Sequence, residues 1–384
     1  MLFFLYNLYK IYFNIYKANL YMKVLHAAET IKGGVATVIN SLVEYQTQQP
    51  QINNVICLVP SDQFENLTQV HNLQSYQFNR NGRNLKGMFN LFFSLIKILK
   101  SEKPDVLHLH SSFAGLFGRI AVMASGRRSQ TKVIYCPHAF GFLMETSIVK
   151  KTIYIKIEKL LSKITSKIIC VSQTEYQSAL KNNFNKSKLA LIHNGVCIKP
   201  ILNERILNNK KSYKLLFVGR FDYQKGIDVL IDALQKLILK DNNIQYELNL
   251  VGETVNSSEE YIFPNSQNLN INQLGWLKSN ELENLYLTHD AILIPSRWEG
   301  FAMVPLEAMS YGLPVICSDI DAFKELDPNS NQHITLFKDS TELSEILLHL
   351  DQLPLEEKRL NAIKTFTNNF NVDDMKIKTL NCYF

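Results

Sequence analysis

The 384-residue sequence lacks any run of about 18 consecutive apolar residues, which leaves it without a conventional membrane-spanning helix. It also lacks a Cys-x-x-Cys pair. Its six cysteines, Cys57, Cys136, Cys170, Cys197, Cys317 and Cys382, are too scattered for a zinc site or a disulfide framework. Runs such as Ile168-Ile169-Cys170-Val171 read as buried thiols in a reducing compartment. Internal repeats and low-complexity tracts are missing. With 46% hydrophobic and 20% charged residues, the composition excludes disorder, collagen and coiled coil. The length suits two domains of about 100–200 residues each.

Acidic residues are scarce in the first half. Residues 1–211 hold 27 Lys and Arg against 10 Asp and Glu, a net charge of +17, whereas residues 212–384 carry −11. A basic half joined to an acidic half predicts that one domain meets something anionic. Nucleic acid is not expected, because neither a nucleic-acid-binding fold pattern nor interleaved basic and aromatic residues are present.

Residues 1–21 contain no acid at all. Asn7, Lys10, Asn14 and Lys17 would form one narrow polar stripe on an otherwise apolar helix. Such a helix could lie in a bilayer interface. It has no small-residue cleavage site of a signal peptide. The alternative is that translation starts at Met22, directly before the strand-like Lys23-Val24-Leu25-His26-Ala27.

From Met22 the chain alternates strand and helix. Strand-length apolar runs fall at 23–27, 55–59, 106–110, 133–137, 168–171 and 190–193, with helical periodicity at 35–46, 85–100, 146–164 and 173–182. A second set of strands falls at 214–218, 246–251, 291–295 and 314–317. This predicts an α/β protein of two doubly wound domains. The expected boundaries are an N-terminal Rossmann-like domain over 22–197, a linker at 198–212 and a C-terminal Rossmann-like domain over 213–362. A closing helix at 363–384 would return to the first domain. Helix 146–164 puts Ile153, Ile157, Leu160, Leu161 and Ile164 on one face, read as core packing. Lys156, Lys159 and Lys163 lie on another face, and with Lys150, Lys151, Arg127 and Arg128 they add to the basic charge of the first domain.

Ligands of such sheets bind beyond the carboxyl ends of the strands. Gly33-Gly34 opens a helix there, where backbone amides can approach an anion or simply make a turn. Gly219-Arg220 and Lys225-Gly226 follow a strand, and the two cations could hold a diphosphate or be solvated surface charges. In the stretch 289–317, Glu299 lies on a loop after a buried strand, and Glu307 lies in the first turns of a helix beginning near Met303. Two carboxylates flanking amides that point at an anion suit a sugar and a ribose; the alternative for Glu307 is simple pairing with the helix dipole. His108 and His110 face one side of a strand, as helix-facing residues or acceptor contacts. His-x-His can open a metal site, but no downstream ligands at suitable spacing accompany it.

These pieces together resemble glycosyltransferase family 4. The resemblance rests on Glu299 and Glu307 in the frame Pro-Ser-x-x-Glu-Gly-Phe, then Leu-Glu-Ala-Met and Gly-x-Pro-Val. Pro104–His108, Pro137-His138, Val171-Ser172, Asn194-Gly195-Val196 and Leu274-Gly275 fall in order, covering residues 22 to about 375. The resemblance implies the GT-B fold, two Rossmann-like domains facing across a cleft. It also implies retaining transfer of a hexosyl or N-acetylhexosaminyl group from a nucleotide diphosphate sugar, with no cofactor and no metal. By position, Arg220 and Lys225 neutralise the diphosphate, and Glu299 binds donor-sugar hydroxyls beside the Gly300 and Phe301 amides. Met303 and Val304 amides face the phosphates and Glu307 binds the ribose. Gly33 and Gly34 admit the diphosphate, Gly219 lines the donor site, and His138 lies near the reacting carbon. Base rate favours uridine over guanosine as the nucleoside.

Two departures stand out. Ala302 replaces the last glycine of Glu-Gly-Phe-Gly, and Val251-Gly252-Glu253-Thr254 lacks the usual Gly-x-Gly. The sequence looks most like bacterial capsule and O-antigen enzymes, acting in the cytoplasm at the inner face of the plasma membrane. The expected partners are a nucleotide sugar, a saccharide or lipid-linked saccharide, and an anionic membrane surface. Rival readings are a sugar-nucleotide epimerase of the same fold, a glycosidase using the two glutamates, and a non-catalytic sugar-nucleotide scaffold.

Overall fold

The computed structural model describes residues 21–80, 84–144, 146–197, 211–240, 244–254, 261–327 and 332–384. The amphipathic segment expected over 1–21 therefore lies, except for Tyr21, outside the described residues, as does most of the 198–212 linker. The chain divides into two compact units. One runs to Asn194 and includes Asp374–Phe384; the other is Gly195–Asp373.

The first unit has seven parallel strands: β1 (Met22–Ala28), β2 (Ile52–Pro60), β3 (Leu73–Phe78), β4 (Val106–His110), β5 (Lys132–Cys136), β6 (Lys167–Cys170) and β7 (Leu189–Leu191). Their order is β3-β2-β1-β4-β5-β6-β7. The central strands are buried on both faces, so β4 is inaccessible along its whole length. Helices α1 (Gly34–Gln46), α2 (Leu85–Ser101), α3 (Ser112–Ala124), α4 (Ile148–Ser162) and α5 (Gln173–Lys181) connect them. Asn84, Ser111, Ser147 and Ser172 each accept a hydrogen bond from a first-turn amide and so fix where four of these helices begin.

The second unit repeats the scheme. Strands β8 (Ser212–Val218), β9 (Gln245–Val251), β10 (Leu269–Gly275), β11 (Ala291–Ile294), β12 (Val315–Ser318) and β13 (Ile334–Phe337) order as β10-β9-β8-β11-β12-β13. Its helices are α6 (Ile227–Ile238), α7 (Ser279–Thr288), α8 (Met303–Ser310), α9 (Asp321–Lys324), α10 (Ser340–Leu348) and α11 (Leu355–Asn369). The α11 helix packs on α8 within this unit. A last helix, α12 (Val372–Asn381), belongs from Asp374 onward to the first unit. In both sheets the chain reverses its direction of winding between two central strands, β1/β4 and β8/β11. That switch point opens a crevice at the strands' carboxyl ends.

One reading of the sequence is corrected. The face of α4 bearing Ile153, Ile157 and Leu160 is exposed, not core: these residues are 48%, 38% and 64% accessible. The helix is docked by the face carrying Glu158 and Leu161. Arg119 of α3, fully buried, donates to Glu158 Oε2 at 2.8 Å, and the Tyr135 hydroxyl donates to Glu158 Oε1 at 3.0 Å. The Arg119 guanidinium also lies 4.1 Å over the Tyr135 ring. Because this buried charge must be paired, it sets the rotation of the helix and turns the aliphatic residues outward.

Candidate functional site

In the second unit the switch point brings the chain after β8 against the chain after β11. Gly226 makes this approach possible, and Gly252, after β9, lets a second chain segment close on the turn after β8. Gly226 has φ +67°, and a Cβ there would lie 1.9 Å from the Pro295 carbonyl oxygen. Gly252 has φ +127°, and its Cβ would lie 1.9 Å from the Gly219 carbonyl oxygen. Thr254, where the expected second glycine is missing, pairs instead with Phe221 in an isolated bridge.

Lys225 Nζ donates to Glu299 Oε1 at 2.6 Å, and Ser296 Oγ donates to the same oxygen at 2.8 Å. The Glu299 side chain is only 8% accessible, so the pair is largely withdrawn from water. Arg220 is turned the other way, onto Asp222 at 3.1 Å and Gln224 at 2.9 Å, and its side chain is 42% accessible. Behind this pair, Arg297 forks onto both oxygens of Asp228 at 2.7 and 2.6 Å and stacks 3.8 Å over Tyr223. Burial pushes the Asp228 carboxyl up, but the Arg297 hydrogen bonds and charge, together with backbone amides of Asp228 and Val229, outweigh it and hold it below its ordinary value. This anchor fixes the loop that carries Trp298 and Glu299.

Gly300 and Phe301 follow, and α8 begins after Ala302 with no side-chain cap on its first turn. The Met303 and Val304 amides therefore open the helix as a place for an anion. Glu307 accepts from the Tyr286 hydroxyl at 2.9 Å, and the Tyr286 ring stacks on Tyr311 with centroids 5.4 Å apart. No signal in the sequence marks Tyr286, because a tyrosine on an amphipathic helix looks like any core aromatic. Thus Gly219, Lys225, Glu299 and the start of α8 gather around one switch point, with Arg220 on the same turn.

Gly33, Gly34 and His138 belong to the first unit. Gly33, at φ +54°, starts α1 with open space around it. The loop before it is clamped by Arg80, which donates to the Glu29 carbonyl at 2.5 Å and to Glu29 Oε1 at 3.0 Å. His138 follows β5 in a left-handed turn, with φ of 56° at His138 and 141° at Ala139. Such backbone in a residue other than glycine is strained and marks a placed side chain.

His138 is one of four clustered imidazoles. His26 and His108 are register partners on β1 and β4, so they share a sheet face with His110. Nitrogens of His26, His108 and His110 lie within 4.8 Å of one another, close enough to hold a metal ion. Hydrogen bonds join three of the four rings, His26 Nδ1 to His110 Nε2 at 3.0 Å and His110 Nδ1 to His138 Nε2 at 3.1 Å, while His108 Nδ1 pairs with the Tyr383 hydroxyl at 2.7 Å. Burial pulls His26 and His138 down to about 4 and His110 well below its ordinary value, so these rings are neutral near pH 7. His26 was not foreseen as a partner, because strand pairing, not spacing, brings it there.

Residues 32–199 match the family described as Glycosyltransferase Family 4, and residues 199–365 match Glycosyl transferases group 1. The chain belongs to glycosyltransferase family 4. An uncharacterized 41.2 kDa protein in the cps region of Klebsiella pneumoniae is 35% identical over 363 residues, covering 92% of this chain and 97% of that one. The UDP-Gal:alpha-D-GlcNAc-diphosphoundecaprenol alpha-1,3-galactosyltransferase of Escherichia coli is 33% identical over 257 residues, covering 63% of this chain and 64% of the enzyme. Among solved structures, Anabaena HepE in complex with UDP-glucose superposes with a TM-score of 0.73 at 18% identity, covering 94% of this chain and 98% of that one. The glycosyltransferase fold is GT-B, two Rossmann-like domains with parallel sheets. The enzyme is related to the glycosyltransferases of capsule and O-antigen assembly. Among its described residues no helix is long and apolar enough to cross a membrane.

Proposed function

We propose that this glycosyltransferase moves a sugar, with retention of configuration and without a metal, from a uridine diphosphate sugar to a lipid-linked saccharide at an anionic membrane surface. The observation that carries the donor reading is the Lys225–Glu299 pair beside Arg220 at the β8/β11 switch point. As the sugar carbon parts from the diphosphate, negative charge grows on the leaving oxygen. Lys225, Arg220 and the α8 amides of Met303 and Val304 stabilise it, doing the work of a divalent ion. Glu299, with the Gly300 and Phe301 amides beside it, accepts hydrogen bonds from donor-sugar hydroxyls. Glu307, steadied by Tyr286, accepts from the ribose. Gly219 and the Gly33-Gly34 turn leave room for the phosphates, and His138 meets the donor sugar. The acceptor oxygen attacks from the face the leaving group occupies, so no enzyme nucleophile is required. The uridine base and the diphospholipid acceptor are supported by the Escherichia coli relative whose name contains both. In a thermal-shift screen, uridine diphosphate and its sugars should raise the melting temperature. Absence of any shift across uridine and guanosine compounds would contradict the donor reading.

The membrane reading rests on three neighbouring helices of the first unit. On α4, Ile148, Val149, Ile153 and Leu160 are exposed among Lys150, Lys156, Lys159 and Lys163. On α2, Leu85, Phe89 and Phe93 are exposed, and on α3, Phe113 and Met123. Apolar residues interleaved with lysines suit an anionic bilayer, where insertion and attraction act together. Protein beginning at Met22 should float with anionic vesicles at low salt, more weakly than the full chain, and salt should release it first. Ile153→Asp with Leu160→Asp should abolish flotation of the shortened protein. Equal flotation of that variant would count against this face.

A further inference from the structure

We propose that His26 and His110 are positioning residues that fix the tautomer of His138 through a hydrogen-bonded chain anchored at Gln46 and Tyr383. Gln46 Oε1 can only accept, so His26 Nε2, 2.8 Å away, carries a hydrogen. In a neutral ring His26 Nδ1 is then an acceptor, and His110 Nε2 donates to it across 3.0 Å. His110 Nδ1 accepts in turn from His138 Nε2 at 3.1 Å. His138 is left with its lone pair at Nδ1, which none of the described residues engages. In this sense the Gln46 Nε2 donates to the Tyr383 hydroxyl at 3.0 Å, which leaves the hydroxyl hydrogen for His108 Nδ1, 2.7 Å away.

The chain has a direction. Turning the Gln46 amide over would reverse every bond from His108 to His138, so the tautomers stand together or change together. Each member is inaccessible except the last: His26, Gln46, His110 and Tyr383 are at most 1% exposed, while His138 is half-buried. Tyr383 comes from Asp374–Phe384, so the end of the chain completes a network whose far end is the ring read as a donor-sugar contact. A neutral ring with a fixed lone pair accepts a hydrogen bond from a substrate hydroxyl and rejects a group that can only accept. This consequence for transfer rests on the placement of His138 proposed above; the tautomer itself does not.

The test is long-range proton–nitrogen spectroscopy of the full chain with 15N-labelled histidine at pH 7, His138 being identified by the signals lost in His138→Gln. The wild-type His138 should show a hydrogen at Nε2 and a bare Nδ1. Tyr383→Phe, which removes only a hydroxyl, and Gln46→Leu should each convert it to a mixture. In transfer assays the same two variants should lower kcat about tenfold, the worth of one misdirected hydrogen bond, with the donor KM little changed. An unchanged His138 tautomer in both variants would overturn the proposal, as would a hydrogen at Nδ1 in the wild type. Stoichiometric zinc perturbing the His26, His108 and His110 signals would also overturn it, by making them ligands. If His138→Gln leaves transfer intact while the tautomer responds as stated, the chain stands and the donor-sugar placement of His138 fails.

Discussion

Glu299→Ala is expected to lower transfer by roughly 10²–10³-fold while leaving uridine diphosphate affinity within about threefold. The geometry separates the two effects. Glu299 holds Lys225 Nζ at 2.6 Å, so the carboxylate would compete with a diphosphate for that cation. On the roles proposed above, removing it would free the lysine for the phosphates and take away the acceptor for donor-sugar hydroxyls. Arg220→Ala and Glu307→Ala should behave oppositely. On the proposed placement each would delete a charged hydrogen-bonding partner of the nucleotide, worth about 1.5–3 kcal/mol, or roughly 10–100-fold in affinity. Tyr286→Phe should weaken binding in the same direction but less, because it only loosens Glu307. Calorimetric titration of uridine diphosphate into the four variants reads the split. Loss of nucleotide binding in Glu299→Ala, with retention in Arg220→Ala, would reverse the assigned roles.

Glu158→Ala is expected to destabilise the first unit by about 3–5 kcal/mol, because it strands the Arg119 guanidinium in the interior. Arg119 is wholly inaccessible, and besides Glu158 it has the Gly115 carbonyl at 2.6 Å and the Tyr135 ring. A lone charge there must either recruit water or tear α3 from α4. On a unit of this size the loss corresponds to a fall of roughly 10 °C in melting temperature. Replacing both partners by apolar residues of similar volume, Arg119→Met with Glu158→Leu, should recover most of it, since no charge is then buried. Thermal denaturation followed by circular dichroism checks both. A Glu158→Ala protein as stable as wild type would show that the pair does not hold α4.

That pair also explains what the sequence did not disclose. The aliphatic stripe of α4 reads as a core face by period alone, and only the partner across the helix pair, Arg119, decides which face turns inward. The strands missed in the sequence have a common cause. Leu73–Phe78, Leu269–Gly275 and Ile334–Phe337 are edge strands, with one side open to water. Their polar or mixed residues therefore hide the signal that continuous burial gives β4 and β11. The Glu299–Glu307 region was legible because its pieces are contiguous: buried strand, polar loop, proline-marked helix start. Tyr286, His26, Gln46 and Tyr383 reach their partners through pairing and packing, so no local pattern marks them.

The most direct test of the account is the anomeric configuration of the product. The enzyme would be incubated with an α-linked uridine diphosphate sugar, a diphospholipid-linked saccharide and EDTA, and the new glycosidic bond assigned by proton NMR. The expected product is α-linked and forms in the chelator at an undiminished rate. A β-linked product, a requirement for added manganese or magnesium, or conversion of the nucleotide sugar without any acceptor product would contradict it.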